Sequence, residues 1–343
     1  MHVEIMDTTL RDGEQTSGVS FSASEKLSIT RLLLQELHVP RVEIASARVS
    51  DGEINTVSQI CSWAKRNSLL DRIEILGFLD NGQSIEWIRN VGGHVVNLLS
   101  KGSEKHCVYQ LRMTPEEHIQ AIRRETIAAH NAGMDINLYL EDWSNGMRNS
   151  REYLWRLMDN ICDLPIKRFM LPDTLGILNP EETHEFISCM TGRYPQLQFD
   201  FHAHNDYDMA TANVYAAVKA GVHGIHVTVN GLGERAGNAT LSSAVATIHD
   251  HLGLTTGIDE SRINKVSHIV LPPNKPIIGE SVFTQCAGVH ADGDNKNNLY
   301  FNDLLPERFG REREYALGKT SGKANIQKNL ETLGIELSDE NLR

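Results

Sequence analysis

The sequence is poor in basic charge, in cysteine and in long apolar runs, and each shortage narrows the field. Lysine and arginine total 33 against 45 aspartates and glutamates, a formal net charge of -12. With an isoelectric point near 5.7, the chain is not expected to bind nucleic acid or an anionic membrane as its main partner, although a local basic pocket for a phosphorylated ligand stays open. The cysteines (Cys61, Cys107, Cys162, Cys189 and Cys286) are widely spaced and form no Cys-x-x-Cys. An odd, unframed set predicts reduced thiols in a cytoplasmic protein and disfavours a catalytic cysteine. No apolar run is long enough to span a bilayer, and the first residues enter a strand-like run without a signal-peptide pattern. No nucleotide-binding fingerprint follows the first strand. Gly231-x-Gly-x-x-x-Gly237 is off by one residue in spacing and follows the last strand instead.

What is present is a regular alternation. At 343 residues and 40% hydrophobic content, the chain can build one large domain and a smaller one. Strands are predicted at Val3–Asp7, Arg41–Ala45, Ile73–Phe78, Val95–Leu99, Ile136–Leu140, Arg168–Leu171, Leu197–Phe201 and Gly224–Val229. Their bodies are mostly Val, Ile, Leu and Phe. Helices are predicted between them, the first opened by the capping-box pattern Ser22-Ala-Ser-Glu25, and the others near 52–65, 84–90, 115–131, 150–162, 180–193, 209–219 and 241–251. Eight strand–helix units in about 250 residues is the size of a (β/α)8 TIM barrel, in the α/β class, and favours closure over a doubly wound open sheet. The predicted division is residues 1–258 for the barrel and 259–343 for a linker and a small, mostly helical C-terminal subdomain. Within the latter, Glu260–Ile269 reads as helical, Pro272-Pro273 as a break, Gly288–Tyr300 as a polar active-site loop and Ile326–Leu333 as a short amphipathic stretch.

In a barrel of this kind, active-site groups sit at the C-terminal strand ends. Those places carry Arg11 and Asp12, Glu43, Tyr139 and Glu141, Asp173 and Thr174, His202 and His204, and Asn230 with Asn238. His202 and His204 are two apart, so on a strand both point to the same side. Two such imidazoles are half a metal site, or one structural and one surface histidine. Asp12 would add a hard oxygen ligand and Asn238 a neutral one. That donor set suits Zn²⁺, Mn²⁺ or Mg²⁺ with positions open for a chelating 2-oxo acid. Arg11 could neutralise a developing oxyanion, or pair with an acid such as Glu43, or both.

Four motifs, Asp7-Thr-Thr-Leu-Arg-Asp-Gly-Glu-Gln15, Leu171-Pro-Asp-Thr-Leu-Gly176, Phe201-His-Ala-His-Asn-Asp206 and Asn230-Gly-Leu-Gly-Glu-Arg-Ala-Gly-Asn238, resemble the signatures of the metal-dependent acyl-CoA condensing barrels. That family includes 2-isopropylmalate, homocitrate and citramalate synthases, with 3-hydroxy-3-methylglutaryl-CoA lyase more distant. The resemblance covers nearly the whole chain. It implies a Claisen-type condensation in which acetyl-CoA loses a methyl proton, the enolate attacks the keto carbon of a 2-oxo acid, and thioester hydrolysis releases CoA. It further implies that Asp12, His202 and His204 bind the metal with Asn238 close by, that Arg11 stabilises the enolate or keto oxygen, and that Thr174 holds the substrate carboxylate. Glu141 would match the strand-5 acid assigned to proton transfer. His290 and Tyr300 would match the loop that reaches into the partner subunit's barrel, so a homodimer with that loop acting in trans is implied.

Around Tyr139 the stretch Tyr139-Leu-Glu-Asp-Trp-Ser-Asn-Gly146 is most similar to citramalate synthases, whose small pocket is walled by residues matching Leu76, Leu99 and Tyr139. Pyruvate carries a methyl on its keto carbon and 2-oxoisovalerate an isopropyl group, so bulky walls should favour pyruvate, with citramalate as product and isoleucine biosynthesis as setting. The alternative is a 2-isopropylmalate synthase of leucine biosynthesis. The same leucines would also serve as ordinary barrel core. Family synthases often carry a further domain that binds an end-product amino acid. This chain ends at Arg343, so feedback inhibition is expected to be absent. Rival readings are a lyase running the reverse cleavage, a metal-binding barrel without catalysis, and a Schiff-base aldolase. For the last, Lys101 is the nearest lysine, expected past the strand in a flexible turn.

Overall fold

A computed structural model describes residues 2–263, 281, 283–301, 306 and 312–335. The eight strands are β1 (Glu4–Asp7), β2 (Arg41–Ser46), β3 (Ile73–Phe78), β4 (Val95–Lys101), β5 (Asp135–Glu141), β6 (Arg168–Asp173), β7 (Phe199–Ala203) and β8 (Gly224–Val227). They pair in chain order, all parallel, and β1 closes on β8. Helices α1 (Ala23–Arg31), α2 (Asp51–Arg66), α3 (Gln83–Asn90), α4 (Pro115–Asn131), α5 (Trp143–Asn149), α6 (Arg151–Asp159), α7 (Pro180–Arg193), α8 (Ala210–Lys219) and α9 (Leu241–Leu252) occupy the crossovers. The predicted capping box at Ser22 and Glu25 forms, and Thr114 with Glu117 and Asn179 with Glu182 repeat it at α4 and α7, each followed by proline at the first helical turn. Proline lacks the N–H that a helix start leaves unpaired, so it starts a helix without loss.

Period-two alternation sorts the strand residues into two environments. Outward residues such as Leu98, Leu138, Leu140, Phe169, Leu171, Phe199 and Phe201 join the main core under the helices. The inward positions are largely polar, which the apolar look of the strands had hidden. Near the N-terminal mouth Arg41 pairs with Asp200, Glu74 and Glu4, and Arg168 with Glu4 and Asp200. Above them the Asn97 amide donates to Glu43 (2.8 Å) and Glu74 (2.9 Å), and Asn137 donates to Asn97 (2.9 Å). These groups pair with one another inside the barrel, as buried polar groups do. Higher still, Met6, Leu76, Tyr139 and Met170, with Leu99 against them, make an apolar cluster separate from the main core.

Three expectations change. The predicted helix near 150–162 is preceded by α5, whose Trp143 and Met147 are buried and whose seven residues were too few to show a period. Lys101 is no flexible-turn residue: it ends β4, pairs in register with Glu141 of β5 and is buried. The segment read as a polar loop begins as a helix, Gly288–Asn295, packed against a second helix, Lys323–Thr332. Its polar residues are used inside: Asp294 accepts the Tyr300 N–H (3.2 Å) and the Tyr315 hydroxyl (2.9 Å). Glu260–Arg262 forms one helical turn. Most of the expected helix to Ile269, the Pro272-Pro273 break and most of Ile277–Phe283 lie outside the described residues.

Candidate active site

The metal candidates converge from three places in the chain. After β1 the backbone turns tightly, with Thr8 O accepting the N–H groups of Arg11, Asp12 and Gly13, and this turn aims Arg11 and Asp12 into the barrel. His202 lies at an inward position of β7, and His204 is the next inward position beyond it. Asp12 Oδ2 is 3.5 Å from His202 Nε2 and 3.9 Å from His204 Nε2. Among the described residues these three form the one cluster of metal-ligating side chains, with ligand atoms within 4.8 Å of one another.

Asn238 reaches the same place because the loop after β8 folds back on β7. Ala239 N–H donates to Ala203 O (3.0 Å) and Asn205 N–H to Gly237 O (2.9 Å). The Asn238 amide donates to Asp12 Oδ1 (3.1 Å) and Leu232 O (3.0 Å), while its own Oδ1 is buried without a partner. Gly233 makes room, because a Cβ there would overlap the Asn238 amide.

Burial pushes both imidazoles below their ordinary range, His202 well below. Each is therefore neutral at physiological pH, with a lone pair to give. Burial alone would raise Asp12, but the Arg11 guanidinium, with the Asn238 amide donating to it, holds it below the usual carboxylate range. One carboxylate, two neutral imidazoles and an orphaned amide oxygen fit a divalent cation.

Beside this cluster lies a pocket of about 430 Å³. It is lined by Arg11, Asp12, Leu76, Leu99, Tyr139, Glu141, Thr174, His202, His204 and His290, which unites nearly all the residues singled out from the sequence. Asn238 stands behind Asp12, and Tyr300 is fully buried behind Glu141. Arg11 is fixed by Glu43 (2.6 Å), Asp12 (2.8 Å) and the Tyr139 hydroxyl (3.3 Å), so both readings of Arg11, ion pair and pocket cation, coexist. The Tyr139 hydroxyl is also 3.2 Å from His226 Nδ1, and its ring meets His202 edge to face. Thr174 Oγ1 accepts the Asp142 N–H (2.8 Å), leaving its own hydrogen to donate.

The C-terminal segment covers one side of the pocket. In this chain it lies over the chain's own barrel. His290 Nδ1 pairs with Glu234, and His290 Nε2 is 3.9 Å from Glu141 Oε1. Glu234 also accepts the Cys286 N–H (3.2 Å) and the Ala287 N–H (3.3 Å). Tyr300 donates its hydroxyl to Glu141 Oε1 at 2.8 Å and takes a bond from the Gln110 amide at 2.8 Å. Burial and then Glu141 push the Tyr300 phenol well above its ordinary value, which keeps it a donor.

Sequence reasoning missed Glu234, Gln110, Met6 and Met170, and misplaced Lys101. Period-two continuation from Asn97 and Leu99 would have found Lys101. Glu234 stood inside a quoted motif, but nothing local shows that it receives a segment more than fifty residues away.

Fold and site together define an enzyme barrel with a candidate metal centre at its C-terminal mouth. The HMGL-like family model matches residues 2–270, and the homocitrate synthase post-HMGL domain-like model matches residues 277–343. The chain belongs to the HMGL-like family. It is 36% identical to the (R)-citramalate synthase of Methanocaldococcus jannaschii, across 100% of this chain and 69% of that one. It is 34% identical to the 2-isopropylmalate synthase of Sulfolobus acidocaldarius, across 99% and 88%. The solved HMG-CoA lyase of Bacillus subtilis superposes with a TM-score of 0.64 at 18% identity, over 82% of this chain and 97% of that one, a likeness of fold. Among the described residues no helix is long and apolar enough to cross a membrane.

Proposed function

We propose that this chain condenses acetyl-CoA with pyruvate and that water then hydrolyses the thioester, releasing citramalate and CoA. Family membership and the acetyl-CoA-condensing relatives support the reaction class. Their near-equal identities, 36% and 34%, do not choose the oxo acid.

The observation that carries the choice is the wall of Leu76, Leu99 and Tyr139, backed by Met6 and Met170. Tyr139 cannot swing aside, because its hydroxyl is held among Arg11, His226 and Glu43. A rigid wall clashes with an isopropyl group more than with a methyl, and overpacking typically costs about 1–3 kcal/mol.

Asp12, His202 and His204, with Asn238 beside them, would hold a divalent cation. When bound, such a cation acts as a Lewis acid toward a keto acid. Arg11, fixed on three sides, opposes negative charge developing on the enolate or keto oxygen. The Thr174 hydroxyl donates to the substrate carboxylate. His290, at the pocket wall with Glu234 behind it, is placed to take the methyl proton. Seating of the C-terminal segment keeps water from the site until condensation.

CoA release measured with acetyl-CoA and each oxo acid tests the reading. Turnover is expected to be faster with pyruvate. Faster turnover with 2-oxoisovalerate would overturn the substrate choice in favour of 2-isopropylmalate synthesis. No release with any oxo acid would overturn the reaction.

The dimer stands as a second proposal: the segment bearing His290 and Tyr300 serves the barrel of a partner subunit.

A further inference from the structure

One buried cation has no part in the chemistry above. The Lys101 side chain is 4% exposed, and its Nζ pairs with Glu141 Oε2. The backbone around it is firmly held. Lys101 sits opposite Glu141 in the β4–β5 ladder, its N–H approaches His118 Nε2 of α4 (3.4 Å), and its carbonyl accepts from the Tyr153 hydroxyl of α6 (3.2 Å). A lysine is rarely buried this deeply unless it is paired. The pair does not end there. The other carboxylate oxygen of Glu141 takes the Tyr300 hydroxyl and faces His290 Nε2. The groups that surround Glu141 are therefore Lys101 from β4, His106 from the turn after it, Tyr300 and His290 from the C-terminal segment, and Asp142 next in its own chain.

We propose that Lys101 is a positioning residue: it holds Glu141 ionised with one oxygen turned toward the C-terminal segment, and so sets where His290 and Tyr300 stand over the pocket. The kinetic part of this proposal rests on the condensation reading; the structural part does not. Without the ammonium, Glu141 would be a buried carboxyl lacking a full counter-charge, and burial favours the protonated form. A protonated Glu141 would be a weaker acceptor for the Tyr300 hydroxyl, the bond that ties the C-terminal segment to it. As it stands, burial would raise Glu141, yet Lys101, then His106 and His290, bring it down to about 2. Held this way, Glu141 keeps one anionic oxygen on the Tyr300 hydroxyl and facing His290.

The test compares wild type with Lys101→Met, Lys101→Arg and the uncharged pair Lys101→Met/Glu141→Gln. Hydrogen exchange is read at residues 286–300 and in the barrel strands, and kcat and KM are measured across pH. In Lys101→Met, exchange at 286–300 should rise by about tenfold or more while β1–β3 stay protected. Its kcat should fall by about 100-fold, with KM for the oxo acid little changed and the acid limb of the kcat profile moved toward neutral pH. Lys101→Arg should recover part of both losses. The uncharged double variant keeps the comparison available if Lys101→Met fails to fold, and it should show the same loosening of 286–300 with a protected barrel. Unchanged exchange at 286–300, or a uniform loss of protection through the barrel, would overturn the proposal. If wild type releases no CoA from acetyl-CoA with any oxo acid, the condensation reading falls while the exchange result still decides the role of Lys101.

Discussion

Asn238 donates its amide hydrogen to Asp12 Oδ1 at 3.1 Å across 226 positions of sequence and keeps its own Oδ1 buried and unpartnered. The amide thus orients the carboxylate through one atom and offers the other to whatever Asp12, His202 and His204 bind. Chelator-treated protein titrated calorimetrically with Zn²⁺, Mn²⁺ or Mg²⁺ should take up one ion. Asn238→Ala should weaken binding of that ion by about 10–100-fold, the usual effect of losing a group that orients a ligand. Unchanged affinity in Asn238→Ala would remove the residue from the site.

The substrate wall makes a separate prediction. Leu76→Ala and Leu99→Ala enlarge the space facing Tyr139. Each should shift the ratio of kcat/KM for 2-oxoisovalerate over pyruvate upward by at least about tenfold, the scale at which hydrophobic pockets discriminate. If both substrates decline in parallel, the leucines are packing residues only and the wall does not choose the oxo acid.

Acid should weaken the latch between the barrel and the C-terminal segment. The folded-state value of Glu141 lies below its ordinary 4.5, near 2. A lowered carboxylate stabilises fully above the unfolded value, and the contribution is lost as pH falls from about 4.5 toward 2. Glu141→Gln leaves Lys101 buried without its counter-charge, so its Tm should be lower than that of wild type near pH 7. The gap should then narrow through the window between 4.5 and 2. A gap that stays constant across that range would show that the ionised form contributes nothing to stability.

Subunit exchange tests the origin of the histidine over each pocket. Glu141→Gln and His290→Ala should each be strongly impaired alone; an intact turnover in His290→Ala would contradict its proposed role. Mixed and allowed to form hybrid dimers, the two variants should regain activity if His290 serves the partner's barrel, because one of the two pockets is then wild type. No recovery, with mixed dimers demonstrated by mass, would place the segment in cis as it lies in the single chain.

Much of the fold was legible because local periodicity carries it. All eight strands fall within a few residues of their predicted positions, and α4 and α7 begin and end where predicted, since Thr114-Pro115 and Asn179-Pro180 announce their starts. The site was legible in part for a similar reason. Spacing by two puts His202 and His204 on one side of a strand, and an α/β barrel sends such strand ends to a common mouth. The short helix α5 and the helix Gly288–Asn295 were not legible, because each is brief and polar and is stabilised by burial against distant residues.

By itself, then, the sequence determined the element order, the class of barrel and the types of donor at its mouth, because these follow from alternation and residue chemistry along the chain. Tertiary structure alone decided which donors meet. Strand register sets Lys101 opposite Glu141, the loop after β8 bends back to bring Asn238 onto Asp12, and the C-terminal segment settles His290 between Glu234 and Glu141. Each of these contacts depends on barrel closure and on burial that removes competing water, so no stretch of neighbouring residues encodes them.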